Sequence, residues 1–174
     1  MPLLLLKVNR LSAVFWDVDG TLADTEMDGH RPAFNMAFQE LDLPFVWDEA
    51  LYNRLLAIPG GLRRVKLHAE TCGVHLSQNQ LDQVRDRKRV HYLERVRQGH
   101  AHLRPGVKRL LQELNRAGVQ QWIVTSSGSA SVMALLEQIQ KQIPSFDGVV
   151  TSDDVASGKP APDSYRLALE RSGC

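Results

Sequence analysis

The chain has 174 residues, 21 Lys and Arg against 20 Asp and Glu, and a formal charge of +1. Near-balanced charge argues against a nucleic-acid or anionic-membrane partner. Two cysteines give no disulfide framework, and the apolar run Leu3 to Leu6 is too short for a signal sequence or a span, so the expectation is a soluble, cytoplasmic monomer.

Residues 1–10 read as a short N-terminal extension that pairs or packs against the domain. Ala13-Val14-Phe15-Trp16 reads as a buried strand, and Asp17-Val18-Asp19-Gly20-Thr21-Leu22 follows at once. In extended backbone, residues two apart point the same way. The carboxylates of Asp17 and Asp19 therefore leave the strand's C-terminal end on one side, where open α/β sheets place their ligands. Gly20 permits a sharp turn there. Two carboxylates so close repel unless a cation sits between them or one stays protonated. Both remedies suit phosphoryl chemistry: Mg2+ screens the first while it attacks phosphorus, and the second feeds a proton to a leaving oxygen.

The pattern then turns helical. Pro32 opens a helix with Phe34, Phe38 and Leu41 on one face, ended by Pro44. Asp48 caps a second with Leu51, Leu55 and Ile58 inward, broken at Pro59-Gly60-Gly61. Leu62, Val65, Ala69 and Cys72 make a third stripe, closed by Gly73. Ser77 with Gln80 forms a capping box for a fourth helix reaching about Arg97. No strand signal occurs from Glu26 to His102, which predicts an all-helical insert. The fourth helix carries Arg85, Arg87, Lys88, Arg89, Arg95 and Arg97 interleaved with Asp82, Asp86 and Glu94. It lacks an aromatic platform and reads as a solvated outer face rather than a nucleic-acid groove. His100 and His102 have no further ligands at metal spacing and read as a surface pair near a hinge.

From Leu103 helix and strand alternate. Pro105-Gly106 opens a helix with Val107, Leu110, Leu111, Leu114 and Ala117 on one face; Trp122-Ile123-Val124 is a strand ending in Thr125-Ser126-Ser127-Gly128. Ser129 starts another helix, Gly148-Val149-Val150-Thr151 is a third strand, and a last helix follows Gly158-Lys159-Pro160. This alternation predicts an α/β fold: a Rossmann-like parallel sheet with right-handed crossovers and the helical insert over its functional edge. The expected organisation is an extension (1–10), a discontinuous core (11–25 and 103–174) and a helical cap (26–102). In this topology Asp17, Asp19, Thr125, Ser126 and Lys159 meet at one edge. A hydroxyl and backbone N–H groups at a strand-to-helix turn cradle phosphate oxygens, and a lysine neutralises charge beside them.

The segment Asp17-Val18-Asp19-Gly20-Thr21-Leu22, with Thr125-Ser126 and Lys159 in order behind it, resembles the signatures of the haloacid dehalogenase-like phosphatases and phosphomutases. Ala23-Asp24-Thr25-Glu26, His30-Arg31 and Phe34-Asn35 resemble the CbbY-like sugar-phosphate phosphatases, kin of β-phosphoglucomutase. The resemblance implies that Asp17 is a nucleophile forming an aspartyl-phosphate and that Asp19 is the general acid and base. It also implies Mg2+ held by the Asp17 carboxylate and the Asp19 carbonyl, and phosphate held by Thr125, Ser126 and Lys159. Gly61 and Arg64 match a loop presenting an arginine to a distal phosphate, and Asp24 and His30 match cap-entry positions near a small phosphorylated sugar.

Two departures bear on specificity. Relatives tend to carry Gly-Gly-Lys-Glu-Arg where this chain has Gly60-Gly61-Leu62-Arg63-Arg64, and Asp24 stands where many have glutamate. The family's fourth signature, an acidic pair after a fourth strand, is expected shortly after Gly173 and is not in the sequence, which reads as truncated before it. Asp153 and Asp154 read as loop caps rather than as its substitutes. The expected function is a Mg2+-dependent sugar-phosphate phosphatase. The alternatives are a phosphomutase, or a truncated chain that only binds a ligand or partner.

Overall fold

The computed structural model describes residues 11–174; the packing expected of residues 1–10 lies outside the described residues. Strands β1 (Ala13–Trp16), β2 (Gln120–Val124) and β3 (Gly148–Val150) form a parallel sheet in the order β1-β2-β3. Two successive right-handed crossovers in one direction put their helices on one face. Accordingly α5 (Val107–Arg116) and α6 (Ser129–Ile139) share a cluster with Trp16 and Ile123 through Val107, Leu111, Val132 and Leu135. Helix α7 (Asp163–Ser172) covers the other face, where Ala168 meets Val124 and Val150 beside Phe15. Phe15, Trp122 and Gly148 are register partners. The indole of Trp122 lies so close over Gly148 that a Cβ there would approach a ring carbon to 2.1 Å.

The chain between β1 and α5 builds a second cluster. Helices α1 (Arg31–Glu40), α2 (Glu49–Leu55), α3 (Gly61–Thr71) and α4 (Gln78–Arg97) enclose Phe34, Phe38, Trp47, Tyr52, Val65 and Val84. The Trp47 ring lies 4.9 Å from both Phe34 and Phe38. Asn35 fixes the Trp47 backbone by accepting its N–H (2.8 Å) and donating to its carbonyl (2.9 Å). Asp48 caps α2, and Ser77 and Gln80 form the expected capping box on α4. Helix α4 joins the two cores, with Leu81 and Val84 in one and Tyr92 and Val96 in the other. No strand occurs in this stretch; its two ends meet as an antiparallel bridge between Ala23 and Leu103.

Some expectations fail in detail. Cys72 is exposed, because the buried stripe of α3 stops at Ala69. Leu110 is exposed too, so α5 buries a narrower face than its apolar pattern suggests. Pro32 does not open the helix: a π-helical turn, Glu26–His30, precedes α1. Proline has no N–H for the carbonyl four residues earlier. That carbonyl, of Asp28, accepts instead from Arg95 Nε on α4 at 2.8 Å. Helix α4 is therefore not simply a solvated face. No helix among the described residues is long and apolar enough to cross a membrane.

Gly148→Ala would force the Trp122 ring aside, and overpacking of this kind costs about 1–3 kcal/mol. Urea unfolding should show that loss. Gly158→Ala, with no atom within 4 Å of the added carbon, should leave the midpoint nearly unchanged.

Candidate active site

The loop after β1 is wound on one carbonyl: Val18 O accepts from the N–H groups of Thr21 (3.2 Å), Leu22 (3.0 Å) and Ala23 (3.1 Å). Gly20 takes the left-handed conformation this requires (φ 74°). Buried Val18 and Leu22 anchor the loop, leaving Asp17 and Asp19 facing away from the core. They find separate partners. Lys159 Nζ donates to Asp17 Oδ1 (2.9 Å) and to the Val124 carbonyl (2.7 Å), so one ammonium joins the ends of β1 and β2. Asp17 Oδ2 makes no hydrogen bond among the described residues.

Asp19 accepts from Thr25 Oγ1 and Ser127 Oγ, both at 2.5 Å, and Asp19 Oδ1 lies 3.0 Å from His30 Nε2. Burial alone would raise its carboxyl, but the charge and hydrogen bond of His30 and the two hydroxyls hold it well below the usual range. Repulsion between the two aspartates is thus met by separate cations and donors, not by a shared proton. In this arrangement Asp19 is a carboxylate, the form that accepts a proton. Acting as an acid requires it to exchange Thr25 and Ser127 for a substrate oxygen.

His30 is held on both nitrogens. Lys88 Nζ lies 2.8 Å from Nδ1, and the ring stacks on Tyr92 at 4.2 Å. Its Nδ1 thus faces Lys88 and its Nε2 faces Asp19. Lys88 lies on the buried stripe of α4 (Leu81, Val84, Tyr92, Val96) with its ammonium 5.1 Å from the Phe34 ring centre and 5.0 Å from that of Tyr92. Burial pushes its pKa down to about 8, against the upward pull of Asp19 and Glu26.

A cleft of about 290 Å³ opens over Asp19, floored by Ser126 and Ser127 and faced by Glu26, His30, Gly61, Arg64 and Lys88. The buried Arg64 guanidinium donates to the carbonyls of Leu55 (3.0 Å) and Ile58 (3.4 Å) and to the Tyr52 hydroxyl (3.3 Å). Tyr52 passes the interaction on by donating to Glu26 Oε2 at 2.6 Å. Of the remaining sequence-predicted residues, Thr125 is buried and its hydroxyl accepts from the Ser127 N–H at 3.1 Å, leaving the O–H free to donate. Asp24 stands outside the cleft, at the crossing between the cores: its N–H donates to the His102 carbonyl (2.9 Å), and its carboxylate is 3.5 Å from Arg104. Asp153 and Asp154 are loop caps as expected. Asp153 accepts from the Ser129 N–H at 2.8 Å, and Asp154 from Thr151 and Arg171.

Sequence reasoning assigned no role to Thr25, Ser127, Glu26, Tyr52 or Lys88 at this site. Lys88 had a readable signal, because it continues the spacing of Val84 and Tyr92 on α4. Among the described residues no cluster of three His, Cys, Asp or Glu could hold a metal. The Asp17 carboxylate and the Asp19 carbonyl, which accepts no backbone hydrogen bond within the loop, are nonetheless hard donors suited to Mg2+ completed by water and phosphate.

The structure thus sets an aspartate–lysine pair at the strand ends of a parallel α/β sheet, beside a helical block. The sequence profile of the haloacid dehalogenase-like hydrolases matches residues 11–174, and the chain belongs to that family. It is 39% identical over 174 aligned positions to the plasmid CbbY protein of Cupriavidus necator, covering 94% of this chain and 66% of that protein. A crystal structure of CbbY from Rhodobacter sphaeroides in complex with phosphate superposes with a TM-score of 0.78 at 32% identity, covering 94% of this chain and 73% of that one. A mutant of the same protein in complex with xylulose 1,5-bisphosphate gives 0.76 at 32% identity, covering 92% and 72%. The chain thus spans about two thirds to three quarters of the length of these relatives.

The folded chain releases the Lys88 proton near pH 8, whereas the unfolded chain keeps it to about pH 10.4. The native state binds fewer protons in that window, so Lys88 makes stability rise with pH across it. Between about pH 7.5 and 9.5 the native chain should gain roughly 2 kcal/mol relative to Lys88→Met, measured by denaturant unfolding.

Proposed function

We propose that the chain is a Mg2+-dependent phosphatase of phosphorylated sugars working through a phosphoryl-aspartate at Asp17. The observation that carries this is the Asp17 carboxylate: one oxygen is neutralised by Lys159 and the other is unbonded, at the edge where a phosphate would meet Thr125 and Ser126. Asp19 takes up a proton from solvent when substrate displaces Thr25 and Ser127 from it; Asp17 Oδ2 attacks phosphorus, the bond from phosphorus to the sugar oxygen breaks, and that oxygen takes the proton from Asp19. Asp19, again a carboxylate and oriented by His30, then accepts a proton from water. The water oxygen bonds to phosphorus, the Asp17–phosphorus bond breaks, and orthophosphate leaves. Lys159 and the Thr125 and Ser126 hydroxyls bear the charge that builds on the phosphoryl oxygens. Mg2+, held by Asp17 and the Asp19 carbonyl, would supply further charge neutralisation.

Residues 26–102 act as a cap over a core of 11–25 and 103–174, with Gly61 and Arg64 on its cleft side and Asp24 at the crossing. The xylulose 1,5-bisphosphate complex of the Rhodobacter relative favours a small sugar as the leaving group. Two exposed free thiols, Cys72 and Cys174, go with a reducing cytoplasm.

Orthophosphate release from pentose and hexose mono- and bisphosphates tests this reading. Asp17→Asn should lose about 10³-fold or more, and EDTA should abolish release until Mg2+ is restored. Equal release by Asp17→Asn would overturn the reading, and an isomerised sugar phosphate with little free phosphate would make the protein a mutase.

A further inference from the structure

Lys159 is the cation on which the Asp17 site closes. Its ammonium donates to Asp17 Oδ1 (2.9 Å) and to the Val124 carbonyl (2.7 Å), both at strand ends. The side chain is 20% exposed. A lysine ends a flexible four-carbon stem and loses much rotamer freedom when it is held in one place. Two hydrogen bonds from the strand ends leave its opposite side to be held by something else.

Helix α7 supplies that contact. Ser164 and Ala168 are buried, and Ala168 packs with Val124 and Val150. Tyr165 follows Ser164, so it stands about 100° round the helix from that stripe, and it is exposed. Its ring centre lies 5.1 Å from the Lys159 ammonium, with the cation over the face. The Tyr165 hydroxyl makes no hydrogen bond among the described residues. Neither burial nor the polar tip therefore accounts for an aromatic at this position, whereas the ammonium does. The face of an aromatic ring attracts a cation through its quadrupole and carries no net charge. A carboxylate in the same place would also hold the ammonium, but it would cancel charge that Lys159 has to present to phosphoryl oxygens.

We propose that Tyr165 is a positioning residue, whose ring face holds the Lys159 ammonium between Asp17 and Val124 without neutralising it. The proposal rests on the phosphatase reading of Asp17 and extends the site to the first turn of α7. Tyr165 acts through Lys159, so its loss should disturb the alignment of the Asp17 carboxylate more than the affinity for substrate.

Orthophosphate release with Mg2+, compared across substitutions at this one position, tests the assignment. Tyr165→Phe keeps the ring and should keep kcat within about twofold, whereas Tyr165→Leu should lower kcat about fivefold with a smaller change in KM. Phenylalanines carrying one, two and three ring fluorines, placed at the same position, should lower kcat step by step, because fluorine withdraws charge from the ring face while leaving its shape nearly unchanged. Tyr165 is exposed, so the unfolding midpoint should stay the same throughout the series. In NMR spectra the Lys159 Cε protons should be shifted upfield by the ring, and Tyr165→Leu should abolish the shift. If leucine matches phenylalanine in kcat, if fluorine has no graded effect, or if the upfield shift is absent, the role of Tyr165 falls and the phosphatase reading stands. If the unsubstituted chain releases no orthophosphate, that reading falls and takes this role with it.

Discussion

One ammonium group, that of Lys159, sits between the Asp17 carboxylate and the Val124 carbonyl, and the geometry of the site follows from it. A carboxylate at the end of a strand with no cation beside it would either take up a proton or repel an approaching phosphate. Here half of its charge is answered by a residue from beyond β3, while the strand register holds β1, β2 and β3 side by side. The lysine thereby makes the chemistry of β1 depend on the correct assembly of a sheet whose strands are far apart in sequence. It also leaves the second carboxylate oxygen without a hydrogen bond among the described residues.

Asp19 shows the opposite arrangement. Every contact it makes favours the ionised form, and these contacts come from three places: the crossing segment (Thr25), the π-helical turn (His30) and the β2 loop (Ser127). Its protonation state is therefore a property of how the helical block sits on the sheet. Lys88 extends the dependence one residue further, since its ammonium lies 2.8 Å from His30 Nδ1 and holds the ring in place. The turn that delivers His30 ends just before Pro32, and the Asp28 carbonyl that Pro32 cannot serve accepts from Arg95 instead.

What was legible in the sequence was mostly local. The strand before Asp17, the turn at Gly20, the Asp48 cap and the Ser77–Gln80 box are all set by residues within a few positions of one another, and the structure has them. The parallel sheet followed from alternation, whereas its order β1-β2-β3 came only from the structure. What could not be read were contacts made across long separations: Lys88 to His30, 58 residues apart, and Ser127 to Asp19, 108 apart. Lys88 was hidden by its neighbours, because a lysine among arginines and aspartates looks solvated until its phase with Val84 and Tyr92 is counted. Arg64 was located at the cleft, but not its commitment to Tyr52 and two carbonyls.

The bridge between Ala23 and Leu103 has a bearing on how such proteins diversify. The chain leaves the sheet and comes back through a single antiparallel bridge, so whatever lies between sees two fixed posts a few ångströms apart. Lengthening or exchanging that interval changes the entropy of ring closure only logarithmically and leaves every strand pairing intact. Lineages could therefore rebuild the roof, and with it the choice of guest, while inheriting the furnace unchanged.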